Sequence, residues 1–278
     1  MKREPRQRRA PLGQHFLRDP ATLDRIVDFI HPQRRDRVVE IGAGRGALTG
    51  RLARALEPDG RLTALELDAD LAAGLRREFS SSAHVSVVEA DALTFDFSDA
   101  SAVGAAPIRV VGNLPYYAAT AILLRLLRWR EEIRDIVVMI QKEVAERIAA
   151  SPGSKAYGTL SLAVQLWCEV ETGFDVGPGA FRPPPKVSST VLRLLPRRAP
   201  RVPLDDPAFF ERVVRASFAQ RRKTLLNNLK AGFDAEADAG RVERALAACG
   251  IDPGRRAETL SLEEFARLSN RLAEEREG

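Results

Sequence analysis

The chain has 278 residues, of which 45% are hydrophobic and 29% are charged, a composition typical of a globular protein with room for one large and one smaller domain. Its 43 Lys and Arg residues outnumber its 38 Asp and Glu residues, and this formal charge of +5 is small enough that its distribution matters more than its size. Two distant cysteines, three scattered histidines and the lack of any run near ~18 apolar residues argue against a metal site, a disulfide framework and a membrane span, so we expect a cytoplasmic protein.

The first twelve residues form a basic arm with five Lys or Arg side chains, which is either a solvated tail or a contact to phosphate groups. Beyond it, Asp19 and Pro20 predict the start of a helix whose apolar residues fall on one face, at positions 23, 26, 27 and 30. The intervening His15 is either a ligand-binding side chain or a partly buried polar group with a structural partner.

From residue 37 onward, short apolar runs alternate with segments of helical periodicity. The predicted strands cover residues 38–41, 62–67, 85–88, 108–111, 136–140, 169–176 and 187–194. The predicted helices cover residues 48–56, 70–79, 118–127, 142–149 and 159–167. Such alternation predicts an α/β fold with a mostly parallel sheet covered by helices on both faces, and the last two strands are predicted to close it as a pair.

A shift to Pro and Arg at residues 196–203 indicates a linker. The periodicity beyond it is helical throughout, with predicted helices at residues 209–218, 222–229, 241–248 and 262–275. We therefore expect an α/β domain at residues 13–196 and a small all-helical domain at residues 204–278.

The strand at residues 108–111 runs into Gly112-Asn113-Leu114-Pro115-Tyr116, which combines an amide, a proline and an aromatic ring. Gly112 allows close approach of the backbone, and Pro115 biases Leu114 towards an extended conformation. The segment predicts a stiff turn that holds an uncharged hydrogen-bonding group beside a ring, which suits a planar nitrogenous substrate such as a nucleobase. The alternative is a common strand-end turn with Tyr116 packed in the core.

Three predicted strands end in residues suited to binding a nucleoside. The first leads into Gly42 and Gly44, which permit a tight turn and close approach of the backbone to a ligand. The second ends at Glu66, where a carboxylate can accept both hydroxyl groups of a ribose, and the third is followed by Asp91, placed for an adenine amino group. Alternatively, the glycines serve only helix–strand packing and Asp91 is a helix N-cap.

A nicotinamide dinucleotide would use the same glycine turn and ribose carboxylate. The third glycine, however, falls one residue short of the G-x-G-x-x-G pattern, and the second acid leaves no site for a pyrophosphate. One acid for a ribose, one for an adenine and no phosphate site favour S-adenosylmethionine, whose sulfonium cation tolerates an acidic rim.

In their order along the chain, these motifs resemble those of the ribosomal RNA adenine N6,N6-dimethyltransferases that modify small-subunit RNA. The resemblance runs from Gly13 to about Asn270 and rests on residues 13–17, 40–44, 66–68, 89–92, 113–116, 181–187, 218–225 and 256–261. It implies a Rossmann-like class I methyltransferase sheet, a small helical domain and S-adenosylmethionine without a metal. The cofactor-binding residues that it implies are His15, Leu17, Gly42, Gly44, Glu66, Asp91 and Asn113.

The chain departs from the family pattern at two places. Many members carry Asn where His15 stands, which makes the backbone contact at Leu17 the firmer expectation. The segment at residues 117–120 replaces a polar turn rich in Ser or Thr, and we interpret this as a change in the support of the following helix.

The adenine N6 nitrogen is a poor nucleophile because its lone pair is delocalised into the ring, so the enzyme must mainly orient it. We expect the side-chain oxygen of Asn113 and the carbonyl of Leu114 to accept the two N6–H bonds while Tyr116 stacks on one face of the base. The resemblance places Phe181 on the other face. The alternative is that Phe181 anchors its loop in the core.

Residues 197–230 carry nine basic and three acidic side chains, and the densest run is Arg221-Arg222-Lys223. The run is either a solvated face or a contact to an RNA backbone, and its density favours RNA. We therefore expect the helical domain to bind RNA, by shape more than by sequence.

The resemblance implies methylation of two adjacent adenosines in the 3′-terminal hairpin of 16S rRNA within an immature 30S subunit, and nothing in the sequence requires more than a monomer. Two other classes stay open: a ribosome-assembly or transcription factor that has lost catalysis, and a nicotinamide oxidoreductase. The retained Glu66, Asp91, Asn113 and Tyr116 argue against the first, and the glycine spacing argues against the second. A related class that methylates large-subunit rRNA is disfavoured by the basic helical tail.

Overall fold

The structure is a computed structural model that describes residues 14–98, 107–233 and 240–277, so the predicted basic arm at residues 1–12 lies outside the described residues. Its strands are β1 (Phe16–Leu17), β2 (Arg37–Ile41), β3 (Arg61–Glu66), β4 (Val85–Glu89), β5 (Ile108–Asn113), β6 (Ile133–Gln141), β7 (Cys168–Val176), β8 (Phe181–Arg182) and β9 (Ser189–Pro196). One sheet has the order β4-β3-β2-β5-β6-β9-β7. The strands from β4 to β6 are parallel, whereas β9 is antiparallel to both of its neighbours, which confirms the predicted mostly parallel sheet.

Helices cover both faces of this sheet. They are α1 (Pro20–Ile30), α2 (Thr49–Leu56), α3 (Ala69–Glu78), α4 (Ala119–Leu126), α5 (Lys142–Ala149) and α6 (Thr159–Trp167). On one face, α1 and α2 share an apolar core with Val38 and Val111. On the other, α4, α5 and α6 share a core with Val39 and Val110. Neighbouring residues of β2 and β5 thus face opposite layers, as the period of a strand requires.

A buried ion cluster joins α1 to the sheet near the amino ends of the strands. Arg109 of β5 donates hydrogen bonds to both oxygens of Asp135, at 2.7 and 2.6 Å, and to Asp36 at 2.8 Å. It also donates to the carbonyls of Ile30 and His31, at 2.5 and 3.1 Å, where α1 ends. Burial lowers the pKa of Arg109, but the hydrogen bonds and charges of Asp135 and Asp36 outweigh this effect and raise the pKa. The guanidinium therefore stays charged although the residue is 3% exposed.

The C-terminal helices are α7 (Pro207–Ser217), α8 (Leu225–Phe233), α9 (Arg241–Ala248) and α10 (Leu262–Glu277), and they enclose a second apolar core. Helix α6 belongs to both cores. Its Leu160 and Val164 pack against the sheet, whereas its Leu162 and Leu166 pack against the C-terminal helices. The packing boundary therefore runs through α6 and not through the linker predicted at residues 196–203.

Strands β1 and β8 form a two-stranded antiparallel ribbon that the periodicity did not predict. Phe16 pairs with Arg182, and Leu17 pairs with Phe181. Leu17 and Phe181 lie in the core that α1 and α2 cover. The ribbon thereby fixes the segment that precedes α1 beside the carboxyl ends of the strands.

The longest helix, α10, has 16 residues. Within the part of the chain that the structure describes, no helix combines the length and the apolar character needed to cross a membrane.

Candidate active site

A cavity of about 490 Å³ opens at the carboxyl ends of β2, β3 and β5. The strand order reverses between β2 and β5, and open α/β sheets bind ligands at such a switch point. The volume lies in the range of pockets for small organic ligands. The predicted site residues that line the cavity are His15, Leu17, Gly42, Gly44, Glu66, Asp91, Asn113, Leu114 and Tyr116.

The turn after β2 depends on glycine at two positions. Gly42 and Gly44 have φ angles of +73° and +58°, in the left-handed region that L side chains rarely adopt. A Cβ on Gly42 would lie 3.3 Å from the carbonyl oxygen of Asn113, and a Cβ on Gly44 would lie 3.2 Å from the ring of Phe16. The turn that lines the cavity therefore requires glycine at both positions.

Glu66 holds this turn against the end of β3. One of its carboxylate oxygens accepts a hydrogen bond from the Gly44 N–H at 2.7 Å, and the other accepts from the Asp68 N–H at 2.9 Å. Because an ionised carboxylate has about four lone-pair sites, both oxygens can still accept a ribose hydroxyl. The sequence predicted the ribose-binding role of Glu66 but not its hydrogen bond to Gly44, because nothing in the spacing shows that the carboxylate reaches the glycine turn.

Asp91 holds the turn that follows β4. Its Oδ1 accepts a hydrogen bond from the Leu93 N–H at 2.8 Å. The alternative of a helix N-cap is wrong, because residues 92–94 form a turn and not a helix. Within the described residues no donor contacts the second carboxylate oxygen, which leaves it available to an amino group in the cavity.

Glu40 adds a buried carboxyl group to the cavity wall, which the sequence analysis did not single out. It is 2% exposed, and its Oε2 has no hydrogen-bond partner among the described residues. Burial raises the pKa of Glu40 to about 7, and the negative charge of Glu66 adds to the rise. Glu40 therefore ionises close to neutral pH.

The free energy of unfolding should fall as the pH rises from about 5 to about 8 because of Glu40. In the unfolded chain its carboxyl group titrates near 4.5, so in this window the native state holds a proton that the unfolded state has lost, and ionisation then penalises the native state. The expected contribution is about 3 kcal/mol. Urea unfolding at several pH values measures it, with Glu40→Gln as the control that should lack this component. Equal pH slopes in the two proteins would contradict the assignment.

The turn at Asn113 offers two hydrogen-bond acceptors to the cavity. Its side-chain Nδ2 donates to the carbonyl of His15 at 3.3 Å, which directs Oδ1 of the same amide away from that carbonyl. The N–H of Leu114 donates to the carbonyl of Met139 at 3.1 Å, so β6 fixes this peptide. Among the residues that the structure describes, no donor contacts Asn113 Oδ1 or the Leu114 carbonyl oxygen. The turn thus offers two hydrogen-bond acceptors, which match a ligand group with two hydrogens to donate.

Tyr116 places an aromatic ring beside these acceptors. Its hydroxyl lies 2.7 Å from the hydroxyl of the fully buried Ser189, which fixes the ring. The ring is half-buried and lines the cavity, so the alternative of core packing is wrong. The ring of His15 lies 5.8 Å from it, between centroids, and donates from Nδ1 to the carbonyl of Pro183 at 2.8 Å. His15 therefore lines the cavity and also has a structural partner.

Phe181 does not form the second wall that we predicted for the base. Its ring is completely buried in the core beside Leu17, and the residue does not line the cavity. Pairing with β1 explains this position, because neighbouring residues of a strand face opposite sides and the exposed Arg182 takes the outer one. Phe181 instead anchors its loop in the core, which is the alternative given in the sequence analysis.

The segment after Tyr116 also differs from our interpretation. Ala118 and Ala119 are buried in the core beneath α4, but Tyr117 is 65% exposed. Tyr117 therefore does not support the helix.

Residues 221–223, called the basic turn below, lie between α7 and α8, whereas we predicted a helix from residue 222. Asn228 creates this turn. Its buried side chain accepts a hydrogen bond from the Gln220 N–H at 3.1 Å and donates to the Ser217 carbonyl at 2.7 Å. The helix consequently begins at Leu225, and the three basic side chains are exposed.

The basic turn differs from two other basic residues of the predicted region, which form ion pairs. Arg197 pairs with Glu169 at 3.3 Å, and Lys230 pairs with Glu243. The basic turn forms no ion pair with the described residues, and Arg221 donates only to the carbonyl of Lys155, at 3.2 Å. Its charge is therefore available to an anionic partner.

The cavity fits S-adenosylmethionine. A glycine cradle, a carboxylate at the end of β3 and a second one after β4 supply what its ribose and adenine need. Within residues 14–98, 107–233 and 240–277, no cluster of three His, Cys, Asp or Glu side chains could hold a metal ion. A sheet of this order with this cradle at its switch point defines a class I S-adenosylmethionine-dependent methyltransferase.

Comparison with proteins of known structure shows which methyltransferases share this fold. The chain is similar in fold to a dimethyladenosine transferase from Plasmodium falciparum, with a TM-score of 0.75 and 23% identity over 91% of this chain and 96% of that one. It is also similar to the 23S rRNA methyltransferase ErmE, with a TM-score of 0.66 and 29% identity over 93% of this chain and 99% of that one.

Residues 6–274 match the family model of Ribosomal RNA adenine dimethylase. Relatives named Ribosomal RNA small subunit methyltransferase A, from Chromohalobacter salexigens and Geobacter sulfurreducens, are each 46% identical, covering 96% and 95% of this chain and 92% and 95% of their own lengths. The chain belongs to the ribosomal RNA adenine dimethylase family. It is a methyltransferase that dimethylates adenine in ribosomal RNA.

Proposed function

We propose that this chain transfers methyl groups from S-adenosylmethionine to N6 of two adjacent adenosines in the 3′-terminal hairpin of 16S rRNA, within an immature 30S subunit. The choice of subunit is supported by 46% identity to relatives named for the small subunit, against 29% to ErmE, which is named for 23S rRNA. The observation that carries the chemistry is the pair of acceptors at Asn113 and Leu114, beside an aromatic ring, that receive no hydrogen bond from the described residues.

The two acceptors select and orient the amino group. Adenine N6 has two hydrogens, and Asn113 Oδ1 and the Leu114 carbonyl accept both. These bonds hold the nitrogen in place and favour a pyramidal geometry, in which the lone pair is no longer delocalised into the ring. Guanine has an acceptor, O6, at the corresponding position and would be repelled by both oxygens.

Tyr116 offsets part of the cost of extruding the base. Taking a nucleotide out of its stack costs a few kcal/mol, and stacking on an aromatic side chain returns about 1–3 kcal/mol. Because the contact with Ser189 fixes the ring in advance, little further ordering is needed when the base arrives.

S-adenosylmethionine, when bound, supplies an electrophilic methyl group on a sulfonium sulfur. Glu66 would hold the ribose hydroxyls and Asp91 the adenine amino group, while Gly42 and Gly44 leave room for the backbone to approach. Asn113 and Leu114 would hold the N6 lone pair of the substrate towards that methyl group, and the methylated nitrogen would lose its proton to water. Only one N–H remains after the first transfer, so the methylamino group must rotate before the acceptors can present it again.

Methylation of purified subunits tests the function. The protein is incubated with methyl-labelled S-adenosylmethionine and with small subunits that lack these methyl groups, and the RNA is digested to nucleosides. Labelled N6,N6-dimethyladenosine at two adjacent positions of 16S rRNA is the expected product. Large subunits incubated in the same way are the control and should take up no label. Label in another nucleoside, or in 23S rRNA alone, would overturn the proposal.

The helical domain at residues 204–278 is proposed as the RNA-binding part of a cytoplasmic monomer. Support comes from the basic turn, whose three exposed charges have no acidic partner among the described residues. Phosphate groups of an rRNA backbone are the complementary surface.

Charge reversal of the basic turn should weaken binding to small subunits. The double variant Arg221→Glu/Arg222→Glu is expected to bind at least about tenfold more weakly at physiological salt. The negative slope of log affinity against log salt should become shallower by about 1.5, because fewer counterions are released. Arg34→Glu/Arg35→Glu is the control, because these exposed arginines precede β2 at the amino ends of the strands, whereas the cavity lies at the carboxyl ends. If the two double variants bind alike, the basic turn does not contact the RNA.

A further inference from the structure

Tyr117 presents an unpartnered aromatic ring at the edge of the active site. It is 65% exposed, and of the large hydrophobic side chains in the described residues it is the most exposed. It lines the same cavity as Asn113 and Tyr116. Among the described residues its ring has no aromatic or cationic neighbour, and its hydroxyl has no hydrogen-bond partner.

The fold does not need this ring. The turn is closed by a hydrogen bond from the Ala118 N–H to the Pro115 carbonyl at 3.0 Å, and the core beneath it is filled by Ala118 and Ala119. A single exposed aromatic residue is common on protein surfaces. Tyr117, however, lies next to Tyr116, the residue proposed to stack on the target base, and this position brings its ring close to the RNA substrate.

The substrate brings an unstacked base to this position. When the target adenosine leaves its stack, the base next to it in the RNA chain loses a stacking neighbour and must stay near the opening of the cavity. Tyr116 and Tyr117 are consecutive, so their Cα atoms are about 3.8 Å apart. Both residues line the cavity, and Tyr116 is half-buried whereas Tyr117 is exposed.

We propose that Tyr117 stacks on the base adjacent to the target adenosine and so replaces the stacking that extrusion removes. This inference rests on the proposed function. It gives the pair of tyrosines complementary roles, with the inner ring on the base that is methylated and the outer ring on its neighbour. Because a ring face accepts any base, the contact adds affinity without adding sequence selectivity.

Substitutions that separate ring stacking from apolar contact test the proposal. Tyr117→Leu should raise the KM for small subunits roughly tenfold, with kcat and the Kd for S-adenosylmethionine nearly unchanged, because stacking on one base contributes on the order of this factor. Tyr117→Phe and Tyr117→Trp should keep the wild-type KM. Leu124→Ala is the control, since Leu124 is an exposed apolar residue of α4 that does not line the cavity.

The possible outcomes distinguish a failure of the stacking proposal from a failure of the proposed function. If the wild-type protein does not methylate small subunits, the proposed function itself fails. If it does, and Tyr117→Leu has the KM of the wild type, Tyr117 does not stack on RNA. A Tyr117→Leu variant with a lower thermal midpoint or weaker S-adenosylmethionine binding would assign the residue to the fold or to the cofactor, and would also overturn the proposal.

Discussion

Replacement of Asn113 by Ala is expected to lower kcat for methyl transfer by about 100- to 1,000-fold, the scale of losing one preorganised hydrogen-bond partner at a reacting atom. The variant loses the Oδ1 acceptor while the neighbouring Leu114 carbonyl stays in place, held by β6. The amino group then keeps one fixed bond and can rotate about it. Single-turnover transfer to small subunits measures the effect, and thermal unfolding checks that the fold is intact.

Asn113→Asp is the informative companion variant. Aspartate keeps an oxygen at the position of Oδ1 but cannot donate to the His15 carbonyl, as Asn113 Nδ2 does at 3.3 Å. If the acceptor is what matters, Asp should retain more activity than Ala. Near-normal turnover in Asn113→Ala would remove Asn113 from the mechanism.

Replacement of Arg109 by Leu is expected to lower the free energy of unfolding by about 3 kcal/mol, the lower end of the cost of breaking a buried ion pair from one side. Asp36 and Asp135 would be left buried without their main partner, and the end of α1 would lose two hydrogen bonds. The loss stays at the lower end because Arg134 still contacts Asp36 at 3.1 Å and Arg193 lies 3.8 Å from Asp135. Urea unfolding measures it.

Arg51→Leu is the matched control for this experiment. Its pair with Asp24, at 2.6 Å, is a surface contact in which Asp24 is 65% exposed, so its removal should cost less than about 1 kcal/mol. Adding Asp36→Asn and Asp135→Asn to Arg109→Leu should recover part of the stability, since no buried charge is then unpaired. Equal losses in Arg109→Leu and Arg51→Leu would show that the buried cluster contributes no more than a surface pair.

The periodicity of the sequence was sufficient to predict the layered α/β architecture and the edge of the sheet where the site lies. Gly112 illustrates why: a Cβ there would overlap the Ile41 carbonyl, so the close approach of β5 to β2 is already implied by the residue type. The same holds for Gly42 and Gly44, whose positive φ angles follow from a turn that only glycine tolerates. These steric demands are visible in the sequence because each of them is met by the type of a single residue.

Two contacts between distant segments could not be predicted in this way. Phe181 is apolar in a loop, and only its pairing opposite Leu17 decides that its ring enters the core instead of the cavity. The basic turn continues a helical pattern, and only the side chain of Asn228, bonded back to Gln220 and Ser217, delays the helix to Leu225.

The buried ion cluster gave a signal that the sequence analysis passed over. Arg109 interrupts the apolar strand β5, and Asp135 follows Arg134 near the start of the apolar strand β6; charged residues are rarely buried unless they are paired. The adjacent parallel strands place them opposite each other in register. Two opposite charges in neighbouring buried strands would have predicted the pair.

Helix α6 has a consequence for how this protein could change through evolution. Its residues Leu160 and Val164 belong to the core beneath the sheet, and Leu162 and Leu166 to the core of the C-terminal helices. A gene fusion that exchanged everything after the linker would leave two leucines of α6 facing a partner that had not adapted to them. We therefore expect exchange of the C-terminal helices to destabilise the chain, so that a new RNA specificity would arise more readily by surface substitution.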